Sequence, residues 1–170
     1  PRNEVARFIL EDLDTAIEYM LDSAPRGGRN RVSKDAARML KSRVALYEGT
    51  WLKYFKGTAM VPGSADWPGK TSHPDYVFPA GSIDAEIEFF LDECMKESKA
   101  IADKYPLVQN TGVFQNSATE PSNPYFDMFG ASDMSPYKEV ILWKSYSVSE
   151  GVTNSVVEFA SASNQGYGLT

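Results

Sequence analysis

Carboxylates are the first residues in this chain with the types and numbers that chemistry needs. Glu11, Asp12, Asp14 and Glu18 lie in one stretch; Asp84, Glu86, Glu88, Asp92 and Glu93 lie in another. A glycosidase sets two carboxyl groups across a sugar, one as acid and one as base or nucleophile. Both stretches have helical periodicity and these residues fall mostly on the polar side, so a solvated helix face is the simpler expectation. There is one histidine, His73, and one cysteine, Cys94. A zinc site draws several His, Cys or carboxylate ligands at ordered spacings, so neither a metal nor a cofactor is expected. Cys94 falls on the apolar side of its helical stretch, as a small core residue does. The chain contains no G-x-S-x-G, no phosphate-binding loop and no dinucleotide fingerprint.

Aromatic side chains offer a different chemistry. Trp67, Tyr76, Phe78, Tyr125, Tyr146 and Tyr167 fall in or near loops. Such residues either pin a loop or form a platform. The apolar face of a sugar ring packs on Trp or Tyr while neighbouring Asn, Asp or Lys meet its hydroxyls. Trp67 and Tyr76 in a Pro/Gly-rich loop, Tyr146 just past a candidate strand, and Tyr167 in the closing Ser/Asn/Gly-rich tail are the candidate ligand-binding residues. Arg38, Lys41 and Arg43 crowd one helix, but they stand among Leu40, Val44 and Leu46, and the chain carries a net charge of −6. Phosphate recognition needs a clustered positive field, so nucleic acid is not an expected partner. A solvated face or local salt bridges are expected for these three.

The elements that must position these residues are mainly helical. At 170 residues and 42% hydrophobic, the chain suffices for one globular domain with a sizeable core. Residues 4–22 repeat apolar side chains at Val5, Phe8, Ile9, Leu13, Ala16, Ile17 and Met20, with Asn3 as the expected N-cap. A second helix is expected over 34–55, capped by Ser33, with Ala36, Ala37, Leu40, Val44 and Tyr47 on its apolar face. The short Pro/Gly link between them makes an antiparallel hairpin, with Ile9, Leu13, Ala16 and Ile17 against Ala37, Leu40 and Val44. Burial of Leu40 would make Leu40→Ala cost ~2–5 kcal/mol. Helical periodicity then lapses over 57–81, a loop insertion too long for a simple connection. Ser82 caps a third helix expected over 83–104. One helical turn is expected at 124–129 and a strand at 139–147, where Val140, Ile141, Leu142 and Trp143 run together.

Two stretches carry more than amphipathicity. "FILEDLDTAIEYM" shows I-x-x-D-L-x-x-A-I through Ile9, Asp12, Leu13, Ala16 and Ile17. "RVSKDAARMLKSRVALY" shows R-V-(S/T)-K-x-A-A-x-x-L-x-x-R-x-x-L-Y through Arg31, Val32, Ser33, Lys34, Ala36, Ala37, Leu40, Arg43, Leu46 and Tyr47. Together they resemble the RagB/SusD family, with Asn30 where glycine is commoner. "YFDMF" and "KEVILWKSYS" are similar to that family's Y-x-x-L-F turn and E-(V/I)-I strand, with Met128 in place of Leu.

The resemblance implies a mainly α fold of TPR-like hairpins with long irregular loops and minor strand content. It implies a surface-exposed outer-membrane lipoprotein that binds oligosaccharide or another nutrient without catalysis. The partner it implies is a TonB-dependent SusC-like transporter, and the lipid anchor would lie outside these residues. The chain opens "PRNEVARF" and stops at "NQGYGLT", and is read as residues 1–170 of a single longer SusD-like domain. The competing expectations are an α-helical glycoside hydrolase and a TPR-type peptide adaptor. The adaptor would repeat hairpins of about 34 residues, which the long loop interrupts.

Overall fold

The computed structural model describes residues 1–22, 28–114 and 119–153. They are mainly helical: α1 (Arg2–Tyr19), α2 (Lys34–Tyr54), α3 (Ile83–Ala102) and α4 (Pro124–Gly130). The chain divides into two compact units, Pro1–Leu107 and Val108–Thr170.

The first unit holds α1, α2 and α3. Ser33 and Ser82 cap α2 and α3 as expected, each accepting a hydrogen bond from the backbone N–H three residues on. Ion pairs set the directions. Arg2 meets Glu48 and Asp14 meets Lys41, so α1 and α2 run antiparallel. Arg38 meets Glu97, Lys41 meets Glu93 and Lys56 meets Asp84, so α2 and α3 do too. Ala6, Leu10, Ala45, Leu52, Val61, Phe90 and Cys94 form the core. Gly49 lets α2 approach α3 closely: a Cβ there would sit 3.0 Å from Leu91 and 3.2 Å from Phe90.

The hairpin forms, but not through all the residues expected. Leu40 is 51% exposed and Ile9 38% exposed. With Val5, Val44 and Tyr47 they line an open groove of about 510 Å³ between α1 and α2. The cause is the position of α2 between two helices. Its deepest row is the one facing both neighbours: Lys41, Ala45, Glu48 and Leu52, each at most 2% exposed. Two of those four are charged, so the apolar stripe alone points about a quarter-turn away from the buried face. Asn3 likewise does not cap α1. Pro1 holds the cap position, and Asn3 is buried inside the helix.

The buried charges are paired. The Lys41 ammonium lies 2.6 Å from Asp14 and 3.7 Å from Glu97, and also donates to Glu93. Burial works to lower its pKa, but the bonds to Asp14 and Glu93 outweigh this and the net shift is upward. Burial of Glu93 is likewise outweighed by Lys41, and its pKa falls. Of the basic trio, Arg38 and Lys41 form the salt bridges expected as one alternative and Arg43 is exposed, but Lys41 is buried rather than part of a solvated face.

In the second unit, Asn123 caps α4 and ties the preceding chain to it. Its Oδ1 accepts from the N–H groups of Tyr125 and Thr111, and its Nδ2 donates to Asn110 Oδ1 and the Val113 carbonyl. The strand expected at 139–147 does not form among the described residues. Val140 N–H turns back to the Tyr137 carbonyl, and Ser147 makes only an isolated bridge with Val152. An apolar run needs a neighbouring edge to become a strand.

Equilibrium urea unfolding separates these assignments. Leu10→Ala should cost ~2–5 kcal/mol and Leu40→Ala about 0.5 kcal/mol or less. Lys41→Met should cost ~3 kcal/mol, because it removes the buried cation shared by Asp14, Glu93 and Glu97 and leaves Glu97 to Arg38 and Glu93 to the exposed Lys96. Equal costs at Leu10 and Leu40 would contradict the packing.

Candidate functional site

The loop over 57–81 is ordered by its own backbone. N–H groups at Thr58, Val61, Ser64, Trp67 and Lys70 each return to the carbonyl three residues earlier, at 3.0–3.4 Å. This makes a staircase of turns from the end of α2. Pro62 and Pro68, which lack an N–H, fall between the donors and break no step. Val61 is 1% exposed and seats the staircase in the core.

The far side of the loop is held by one carboxylate. Glu86, in the first turn of α3, is 0% exposed. Its Oε1 accepts from Arg7 Nε at 2.8 Å and Asn3 Nδ2 at 3.0 Å. Its Oε2 accepts from Arg7 Nη2 at 2.8 Å and from the Ala80 backbone N–H at 3.0 Å. Asn3 Oδ1 in turn accepts from the Tyr76 hydroxyl at 2.9 Å. Burial would raise the Glu86 pKa, but the bonds from Arg7 and Asn3 prevail and hold it below its ordinary value. Burial, reinforced by the charges of Glu86 and Glu4, pushes Tyr76 up to about 12, against the opposing Asn3 bond. Tyr76 therefore stays a hydrogen-bond donor at ordinary pH.

These ties set an aromatic row. The Trp67 and Tyr76 rings are 5.4 Å apart and tilted by 55°; Tyr76 and Phe78 meet edge-on at 5.2 Å. Exposed His73 lies nearly parallel to Trp67 at 6.0 Å. Gly69 lies against the indole so closely that a Cβ there would overlap the Trp67 ring. Gly63, with φ +79°, brings its backbone to the rings of Phe78 and Tyr76; a Cβ would sit 3.6 Å from the first and 3.8 Å from the second. Trp67, Tyr76 and Phe78 all stay half-buried.

Beside Phe78 lies a pocket of about 230 Å³ lined by Lys56, Gly57, Val61, Pro62, Gly63, Ser64, Phe78 and Ile83. Lys56 Nζ contacts both oxygens of Asp84, at 2.6 and 2.7 Å.

Of the four candidate residues, the structure joins Trp67 and Tyr76. Tyr76 serves the loop as well, because its hydroxyl is committed to Asn3. Tyr146 belongs to the second unit, 49% exposed, with the Lys144 ammonium 5.4 Å from its ring centre. Tyr167 lies outside the described residues. Tyr125 is in α4 and meets Phe129 edge-on at 5.0 Å. The expectation of solvated carboxylates holds for Glu11, Asp12, Asp14, Glu18, Asp84, Glu88 and Asp92, which are exposed, and fails for Glu86. It also fails for Glu93, whose side chain is only 20% exposed. Glu48 and Glu97 are buried too, and Glu48, Glu86 and Glu97 are each bonded to an arginine: Arg2, Arg7 and Arg38. Among the described residues no three His, Cys, Asp or Glu side chains group as metal ligands would. No described helix is long and apolar enough to cross a membrane.

Glu86 ties loop stability to pH. A carboxylate with a lowered folded pKa contributes fully above its unfolded value, 4.5, and loses that contribution as pH falls through the lower folded value. Glu86→Gln should therefore destabilise the chain at pH 7 by ~3 kcal/mol, as breaking a buried pair does. On acidification below 4.5 the variant should then lose less than the parent chain. Urea titrations at pH 7 and at acid pH check both halves. Parallel pH profiles for the two proteins would remove Glu86 from the account.

No family model, curated protein or solved structure matches the chain.

Proposed function

We propose that this chain is part of a non-catalytic, cell-surface protein that binds oligosaccharide nutrient. It would deliver that nutrient to a TonB-dependent, SusC-like transporter in the outer membrane, where a lipid anchor outside these residues would hold it. One observation carries the binding half of this reading. The long loop is a fixed scaffold that sets half-exposed Trp67 and Tyr76 side by side. Fixing aromatic groups in advance removes the ordering cost that weakens ligand binding by mobile loops. Aromatic faces suit the C–H face of a sugar ring, and Lys56, Asp84 and Ser64 lie at or beside the adjoining pocket to meet hydroxyls. The transporter and the anchor rest on the two-helix motif described above. The arginine partners of Glu48, Glu86 and Glu97 also favour structural over catalytic duty for the buried carboxylates.

Glycan-array screening followed by calorimetry tests this reading. Trp67→Ala should lose ~1–2 kcal/mol of affinity for a bound oligosaccharide. Gly69→Ala, which displaces the indole, should weaken binding in the same direction while thermal unfolding shifts little. Affinity unchanged in both variants would place binding away from this loop. Turnover of a glycan, abolished by one carboxylate substitution, would replace the reading with a glycoside hydrolase.

A further inference from the structure

The pocket beside Phe78 differs from the open row of rings that leads to it. Its volume, about 230 Å³, falls below the range of about 300–1,000 Å³ that holds a drug-sized ligand. It has room for one ring. Val61, Pro62, Ile83 and Phe78 give it apolar walls, and Lys56 and Ser64 are the polar side chains of its lining. Lys56 is the cation of the lining, and Asp84, next in sequence to the lining residue Ile83, neutralises it through both carboxylate oxygens. Two of the three ammonium donors are used by Asp84, which leaves one, and each Asp84 oxygen keeps a lone pair. A sugar hydroxyl both donates and accepts, so it can take the free Lys56 donor and give its own proton to Asp84. A carboxylate cannot do this: it would compete with Asp84 for Lys56 and face the displaced charge.

We propose that this pocket takes the terminal unit of a neutral oligosaccharide, with Lys56 and Asp84 gripping its hydroxyls and the next units passing along Phe78, Tyr76 and Trp67. The inference rests on the glycan reading above and goes further: the chain end is what is recognised, and its charge is selected. Affinity should rise from one to about three units, as the row of rings is filled, and then level off. Neutral ends should bind better than uronic-acid ends.

The test uses a glycan array printed with neutral glucose, galactose, mannose and N-acetylglucosamine oligomers of one to six units, together with uronate-terminated counterparts. Calorimetry on the best binder and its shortened forms follows. Lys56 and Asp84 are exposed, so Lys56→Met and Asp84→Asn should fold like the parent chain, which thermal unfolding checks. Lys56→Met should weaken the neutral oligomer at least five-fold. Asp84→Asn should free Lys56 and narrow or reverse the preference for the neutral end over the uronate end. Binding that is lost in Trp67→Ala yet untouched in both rim variants, or that keeps strengthening through six units, would overturn the pocket assignment and keep the platform. Binding to none of the glycans would overturn both.

Discussion

The Glu86 carboxylate is the constraint on which the loop and its neighbours depend. It is wholly buried, and four hydrogen bonds reach it on α3 from two other parts of the chain: α1 through Asn3 and Arg7, and the loop through Ala80. An unpaired buried carboxylate would be costly, and truncating a partner would expose that cost. The pairing therefore acts as a registration device as much as a stabiliser. Only when α1, α3 and the loop end are all in place is the charge satisfied. Arg7 adds a second constraint by lying 3.7 Å from the centre of the Phe89 ring.

The same logic runs along α2. Flanked by α1 and α3, it buries one row along its middle turns, and that row includes Lys41 and Glu48. Each is answered by a residue from a neighbouring helix: Asp14 and Glu93 for Lys41, Arg2 for Glu48. Arg2 also sits over the Trp51 ring at 4.0 Å and the Tyr47 ring at 5.1 Å, so one side chain joins the ion pair to the aromatic face of α2. Polar interiors of this kind restrict how the helices can slide, because a shift of one turn would separate several charges at once.

This rigidity matters for the site because ligand chemistry on a loop is only as good as the loop's support. The staircase of turns satisfies the backbone from within, the Tyr76 hydroxyl fixes one ring through Asn3, and Gly69 seats another. A binding surface so arranged needs little reorganisation when a ligand arrives. Tyr76 contributes twice, through its ring to the row and through its hydroxyl to the frame, so Tyr76→Ala would mix binding with stability through the lost Asn3 bond, which Trp67→Ala leaves in place.

The sequence by itself determined the mainly α class, the three long helices, and the Ser33 and Ser82 caps, because periodicity and capping are local properties of a few neighbouring residues. It also marked 57–81 as a long insertion with Trp67 and Tyr76 in it, and Cys94 as a core residue. Tertiary structure alone decided which face of α2 is buried. Burial there is set by helices on both sides, so Leu40 lies exposed while Lys41 is enclosed. It alone turned Asn3 from an expected cap into a buried link, and Glu86 from an expected surface charge into the anchor of the loop, since their side-chain partners stand 73 to 83 residues away. The apolar run at 139–147 shows the converse: β-propensity is local, but a strand exists only where another edge meets it. Charge pairs and pockets depend on residues distant in sequence, and only the folded chain brings them within ångströms of one another.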